Sequence, residues 1–501
     1  MALAVAAPPR AAAAPRARVT ADLRSSPDAP LTGAVCHGEV RCYAHVHLAA
    51  GGELLAAATP SGLAPADLQS AYAVDPNLAT TPTVAIVDAY GYAALESDLA
   101  VYRRQFGLPA CTIANGCLRV VNQDGKPTPL PADPPADDDW TVETALDVDM
   151  VSAVCPRCKI LVVQSTSSSL VSMYTAQNSA AALRPTVISD SWGRPQRVGE
   201  DLSGQEPYFD HPGIAQFVSG GDSGYNEGGQ GPAYPSTSAH VIAVGGTALT
   251  RAGNARGWAE VAWTKGGSSC SLSVPKTAYQ APSPCTYRAA TDLAAVGDPA
   301  TGVSVYNAAN GGWLILGGTS AAAPIVAAIF AATGHGDATG AFVAQHTAAF
   351  TDVTAGSNGP CGNLLCNAGT GWDGPTGFGT PSAARLAQIA GGGGGGGTGD
   401  LTVSITAPAD GATVPAGFTV TATASASAVT AGLGIDGQLV ATSKVAPWRL
   451  TAPAQLAPGP HEVEVAVADA SGATATARIH VIVFSGIDLS GTGTDSGEPK
   501  S

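Results

Sequence analysis

Basic residues are scarce in this chain: 24 Lys and Arg stand against 39 Asp and Glu, a formal net charge of −15. Such a chain repels polyanions, which argues against nucleic acid or an anionic membrane as its partner. Aromatics are few, at 6% of residues, and only 13% of positions are charged. That composition suits a soluble protein that tolerates acid, where carboxylates discharge. Long apolar runs are also missing. No stretch reaches the ~20 residues needed to cross a bilayer, so no membrane span is expected. What is present is a 501-residue chain rich in Ala, Gly, Ser, Thr and Pro, long enough for two or three domains and a large core.

The ten cysteines fall into close sequence pairs: Cys36/Cys42, Cys111/Cys117, Cys155/Cys158, Cys270/Cys285 and Cys361/Cys366. An even count in local pairs reads as loop-stapling disulfides and an oxidising, extracellular setting. The competing reading is zinc, at Cys155-Pro-Arg-Cys158 or in "CHGEVRCYAHVH" (Cys36 to His47). No second CxxC follows at zinc-site spacing, which weakens it. The first residues, "MALAVAAPPRAAAAPRARV", are small but have a very short apolar core and no basic start. They read as the end of a secretion signal, or a misplaced start, and not as a complete signal, so the expectation of a secreted protein rests mainly on the cysteines.

Residues 1–61 read as a leader plus a short pro-segment. From Gly62 the pattern is α/β, with strands such as "TVAIVDAY", "KILVVQST" and "TVISDSWG" separated by helical stretches. This predicts a mainly parallel sheet covered by helices on both faces, with active residues where strands end. The α/β domain is expected to run over 62–390, with a Gly-rich linker at 391–399. Alternating strands between turns over 400–485 predict an Ig-like β-sandwich, and a disordered tail is expected at 486–501.

"LGGTSAAAPIVAAIF" (Leu316 to Phe330) reads as a Gly-Gly turn that presents Ser320 at the start of an apolar helix. A serine nucleophile needs a base, and no "HGTH"-type motif exists among the nine histidines. His37, His45 and His47 precede the α/β domain, while His461 and His480 follow it. His211 and His240 read as structural. Carboxylates fill the gap. Glu143 and Asp147 in "DDDWTVETALDVDM" are four apart, so one helix face carries both. An exposed helix often carries such acids for solubility, but this one continues into apolar sequence, a poor place for idle carboxylates. Asp222 in "FVSGGDSGYN" follows a strand at a Gly-Gly turn, where it is equally a turn-former or a cleft residue.

Taken together, Glu143-Thr-Ala-Leu-Asp147, Ser219-Gly-Gly-Asp222-Ser-Gly224 and Gly317-Gly-Thr-Ser320-Ala-Ala-Ala-Pro324 resemble the motifs of the sedolisin (serine-carboxyl peptidase) family. The resemblance covers about residues 62 to 385 and implies a subtilisin-like fold. It implies Ser320 as nucleophile, Glu143 as general base, Asp147 orienting it, and a protonated Asp222 donating to the oxyanion. A glutamate of ordinary pKa, about 4.3, still accepts a proton at pH 4, where histidine is already charged. Asp88 is expected to extend the hydrogen-bond chain to Glu143, with Trp192 near the acidic pair and Ser189, Ser191 and Gly193 lining a substrate strand.

"TDVTAGSNGPCGNLLCNAGTGWDGPTGFGTP" (Thr351 to Pro381) resembles the family's calcium loop. The resemblance implies one structural Ca2+ held by Asp352, Asp373 and the carbonyls of Val353, Gly369 and Gly371, an all-oxygen set suited to a hard cation. Relatives often carry a pro-domain of well over 100 residues, and Gly317 stands where many have Ser. The leading expectation is therefore a secreted, acid-acting endopeptidase, with tripeptidyl-peptidase activity also open. Protein or peptide substrates are expected, with a monomeric chain and an Ig-like domain that binds a surface or acts as a spacer. The alternatives are a subtilisin-type enzyme using Asp88 and His211, or a catalytically silent adhesin on the same fold.

Overall fold

The structure is a computed structural model that describes residues 20–21, 31–77, 81–389, 403–424, 428–444, 448–469 and 474–484. The start of the expected leader, the linker at 391–399 and the tail at 486–501 lie outside the described residues. The chain divides into two compact units, Met1–Gly394 and Gly395–Ser501.

The first unit is built on an eight-stranded sheet. From one edge its order is Trp258–Ala262, Ile242–Arg251, Ala215–Ser219, Val187–Asp190, Thr83–Ala89, Lys159–Ser165 and Leu118–Asn122, and Leu293–Val296 also pairs with Ile242–Arg251. Every pairing is parallel except that of Trp258–Ala262. Runs such as Val84-Ala-Ile-Val87 are wholly buried, because crossover helices cover a parallel sheet on both faces. In a parallel sheet the C-terminal strand ends gather on one side, and this side carries Asp88, Asp190 and Asp222.

Two helices position the chemistry. Trp140–Val154 begins at Asp139, whose side chain accepts from the Thr141 amide, and Thr319–Ala332 follows the Gly317–Gly318 turn. The two pack against each other, and every residue of both is buried. Neither shows an apolar stripe for that reason: a helix buried all round has no solvent face to mark. Glu143 and Asp147 are therefore interior groups, not solubility charges.

Residues 31–61 do not form a segment apart from the α/β domain. Strands Leu31–Ala34 and His45–Leu48 pair with each other, and the latter pairs with Gly312–Gly317, the strand that leads into Ser320. Val35, Val40, Ala44, Val46 and Leu48 are buried in the main core. The apolar positions of 31–48, on the N-terminal side of the expected boundary at residue 62, find their cover against this unit.

All five local cysteine pairs form disulfides: Cys36–Cys42, Cys111–Cys117, Cys155–Cys158, Cys270–Cys285 and Cys361–Cys366. With the thiols consumed, neither zinc reading holds. Among the described residues the second unit is all-β, with Val403–Ala407, Thr419–Ala424 and Trp448–Thr451 in one sheet. The other holds Ala412–Pro415, Thr474–Phe484, Gly459–Asp469, Ala428–Ile435 and Gln438–Ser443. Its core comprises Val420, Leu433, Trp448, Leu450, Val463, Val465 and Val481.

Candidate active site

Gly318 has φ +102, a left-handed conformation that side chains avoid. A Cβ at that position would overlap the Tyr43 carbonyl oxygen and lie 2.5 Å from Asp222 Oδ2. Glycine is therefore required there twice over. The turn delivers Ser320, fully buried, to the first turn of its helix. The Ser320 hydroxyl donates to the Ser191 carbonyl at 3.0 Å and accepts from the Tyr43 amide at 3.0 Å. Pro324, lacking an N–H, cannot donate to the Ser320 carbonyl in the helix. That carbonyl instead faces the Ser191 hydroxyl at 3.4 Å.

Glu143 and Asp147 stand one turn apart on the neighbouring helix, both without solvent exposure. Asp147 Oδ1 accepts from the Ser191 hydroxyl at 2.8 Å. Burial is the main cause that pushes Glu143 well above the ordinary carboxylate range, and the charges of Asp147 and Asp88 add to it. The Ser320 hydroxyl pulls it back down, although neither Glu143 oxygen has a hydrogen-bond partner of ordinary geometry. Asp147 is raised by burial first and then by Asp88, while Ser191 opposes the shift.

Asp88 ends its strand as expected, and burial raises it to about 7. Both of its oxygens lack partners, so the expected hydrogen-bond chain to Glu143 does not form; Asp88 acts on the pair through charge. Asp190, not singled out in the sequence, is a further buried carboxyl without partners. It too is pushed up by burial and then by Asp88. Its position inside "SDSWG", which reads as a strand leaving the sheet, concealed it.

Asp222 follows strand Ala215–Ser219. Its Oδ1 accepts from the Thr319 amide at 2.8 Å and the Thr319 hydroxyl at 2.7 Å, which leaves Oδ2 without a hydrogen bond. Burial raises this carboxyl to about 7, against the lowering pull of His45 and Thr319. His45 Nε2 lies 3.5 Å from Asp222 Oδ2. Setting His45 aside because it precedes the domain is thus corrected, since the strand that carries it is part of the site. His211 precedes the strand whose far end leads to Asp222, so it stands on the opposite side of the sheet from Ser320.

The Trp192 ring packs against Tyr174 and Phe209, an aromatic cluster. Its backbone serves the cleft: Trp192 and Gly193 pair antiparallel with Cys42 and Arg41. Ser189 is buried with its hydroxyl unpartnered. In the expected calcium loop, Asp352 accepts from the Gly371 amide at 2.9 Å. Asp373 accepts from the Gly369 amide at 2.9 Å and from the Thr376 amide and hydroxyl at 2.8 and 2.9 Å. Asp373 has no exposure and is raised to about 7 by burial, with the like charge of Asp352 adding to it. Two converging carboxyls around a glycine-rich loop are a donor set that fits a hard cation.

Known proteins resemble this chain. The profile of the Subtilase family matches residues 137–359, and that of the bacterial Ig domain matches residues 402–465. Kumamolisin of Bacillus sp. (strain MN-32) is 28% identical over 400 residues, covering 72% of this chain and 70% of its own length. Tripeptidyl-peptidase sed1 of Aspergillus fumigatus is 30% identical over 234 residues, covering 35% of each chain. Sedolisin of Pseudomonas sp. (strain 101) is 31% identical over 175 residues, with 31% of this chain and 29% of its own covered. Among solved structures, Pseudomonas sedolisin complexed with pseudo-iodotyrostatin superposes with a TM-score of 0.53 at 24% identity, covering 66% of this chain and 98% of its own. The parallel sheet, the matched motifs and these likenesses mark the chain as a serine-type peptidase similar to the sedolisins, with a bacterial Ig domain following the peptidase fold.

Proposed function

We propose that this chain is a secreted serine-carboxyl peptidase that works in acid through Ser320, Glu143, Asp147 and Asp222. The observation that carries the reading is the double role of Ser191. Its hydroxyl holds Asp147 at 2.8 Å while its carbonyl receives the Ser320 hydroxyl at 3.0 Å, so one residue joins the nucleophile to the acidic pair.

In the proposed reaction Ser320 Oγ turns to Glu143, attacks a substrate carbonyl carbon, and passes its proton to the glutamate. The resulting oxyanion receives hydrogen bonds from the Ser320 amide and from a protonated Asp222. Collapse breaks the C–N bond, and the leaving amine takes the proton from Glu143. Water then attacks the acyl ester, giving its proton to Glu143, and Ser320 is regenerated as the acid product leaves.

The electrostatics supply a pH window. Asp222, raised to about 7, keeps its proton through the acid range and loses it as pH rises through that value. Glu143 is raised as well, so the base is ready only above the range where an ordinary glutamate ionises. Asp352, Asp373 and the carbonyls of Val353, Gly369 and Gly371 would hold one Ca2+, whose contribution there is to cross-link a loop. Ser189, Ser191 and Gly193 would line the substrate strand.

The disulfides favour an extracellular setting. The test is peptide cleavage scanned from pH 3 to 8 beside Ser320→Ala and Glu143→Gln. Both variants should lose turnover at every pH; full activity in Ser320→Ala would sink the mechanism.

A further inference from the structure

Thr319 donates twice to one oxygen of Asp222. It is fully buried and opens the helix that carries Ser320, so its amide belongs to the first turn, where backbone donors have no partner within the helix. That amide reaches Asp222 Oδ1 at 2.8 Å, and the Thr319 hydroxyl reaches the same oxygen at 2.7 Å. The hydroxyl also lies 3.1 Å from the Gly221 amide.

The direction of each bond follows from what each group can do. An amide N–H only donates, so the Thr319 oxygen accepts from Gly221. A hydroxyl has a single proton, which leaves it for Oδ1. Oδ1 therefore faces two donors, while Oδ2 has no hydrogen-bond partner. A neutral carboxyl has one O–H and one carbonyl oxygen, and the carbonyl oxygen is the better acceptor. Two donors at Oδ1 thus make it the carbonyl oxygen and place the proton on Oδ2. That oxygen lies 2.5 Å from where a Gly318 Cβ would stand, beside the turn that delivers Ser320. The backbone cannot swing to undo this. The Gly221 carbonyl accepts from the Gly267 amide at 2.7 Å, and the Gly220 amide donates to the Val244 carbonyl at 2.8 Å.

From this geometry we infer that Thr319 is a positioning residue: it fixes the Asp222 proton on Oδ2 and so keeps the oxyanion donor aimed beside Ser320. The inference rests on the peptidase reading above. Without the hydroxyl, the proton can occupy either oxygen, the carboxyl can turn, and the Gly221 amide loses its acceptor. The hydroxyl also favours the ionised form of Asp222, so its loss moves the titration of that group upward. The groups whose charge acts on Asp222 are His45 and Glu227, and Asp222 in turn acts on Glu143 and the Tyr43 hydroxyl. Arg41 and Lys265 line the same pocket. A change at Thr319 leaves all six in place.

The test compares the full native chain with Thr319→Val, which keeps the shape and the amide but drops the hydroxyl, and with Thr319→Ser, which keeps the hydroxyl. Peptide cleavage is followed from pH 3 to 8, and thermal melts establish that each variant is folded. Thr319→Val should lose about tenfold in kcat with KM little changed, less than the about 10²–10³-fold lost when an oxyanion donor is removed outright. Its neutral-side limb should move to higher pH, and Thr319→Ser should restore both quantities. If Thr319→Val does not fold, Thr319→Ala removes the hydroxyl without placing a methyl against Asp222. An unmoved neutral-side limb in a folded variant without the hydroxyl overturns the inference, whatever its kcat. Thr319→Ser impaired as deeply as Thr319→Val also overturns it, since the loss then belongs to packing of the methyl. In both cases the peptidase reading stands as long as the native chain cuts the peptide and Ser320→Ala does not; if that contrast is absent, the reading falls with the inference.

Discussion

The Ser191 hydroxyl lies 2.8 Å from Asp147 Oδ1 and is the hydrogen-bond donor to that buried carboxyl. A hydrogen bond to a charged acceptor contributes about 1.5–3 kcal/mol, and here it favours the ionised form of Asp147 against burial. Ser191→Ala removes the donor but keeps the backbone carbonyl that Ser320 uses. The expected result is a loss of about ten- to a hundredfold in kcat with KM little changed. The acidic limb of the pH profile should move upward, because Asp147 and its neighbour Glu143 then hold protons longer. An unmoved limb would reduce Ser191 to a packing role.

On the proposed mechanism the neutral-side limb belongs to Asp222. Below about 7 it is protonated and can donate from Oδ2, while Oδ1 keeps both bonds from Thr319; above that value the donor is lost. Asp222→Asn preserves this geometry with a donor that does not titrate. Activity at the optimum should fall, since the amide is the weaker donor to an oxyanion, but the decline toward neutral pH should disappear. A falling limb that stays in place would assign it elsewhere.

Much of the site was legible because its residues sit in short motifs whose chemistry depends on spacing. Glu143 and Asp147 share a helix face at any burial, and the Gly-Gly turn before Ser320 reads as a turn in any fold. The disulfides were legible for a similar reason, since each joins near neighbours. Burial was not legible: the helix Trp140–Val154 looks like a carrier of surface acids until Thr319–Ala332 is packed on it. The reach of Tyr43 into the site was hidden most completely. The contact of Tyr43 with Ser320 spans 277 positions, and no local pattern in "CHGEVRCYAHVH" reports a partner so distant. Asp190 was missed because the stretch that contains it reads as a strand leaving the sheet.

Asp88 makes a prediction about stability. Its carboxyl is raised from 3.8 to about 7, and both oxygens are buried without partners. A carboxyl whose pKa is higher folded than unfolded favours the fold fully below its unfolded value, and that advantage is lost as pH rises through the folded value. Between these limits the unfolded chain ionises first. Native Tm should therefore fall between pH 4 and pH 8. Asp88→Asn cannot ionise and should show a smaller fall, with Tm above native at pH 8 and near it at pH 4. Equal slopes in thermal melts of the two proteins would show that Asp88 is not strained by burial.

The loop at Asp352 and Asp373 makes a prediction that does not depend on turnover. Two carboxyls that converge on Gly369–Gly371 without a cation should repel when ionised, and a divalent ion converts that cost into a cross-link. Bound calcium present at a hundred times its dissociation constant would stabilise the fold by about 2.7 kcal/mol, which a thermal melt resolves easily. A chelator such as EDTA at pH 6 should lower Tm, and added Ca2+ should restore it where Mg2+ does not, because Mg2+ demands a tighter octahedral shell. Asp373→Asn should melt at the same temperature with and without the ion. If the native protein is indifferent to chelator, these residues form a hydrogen-bonded turn, with the Thr376 amide and hydroxyl as the true partners of Asp373.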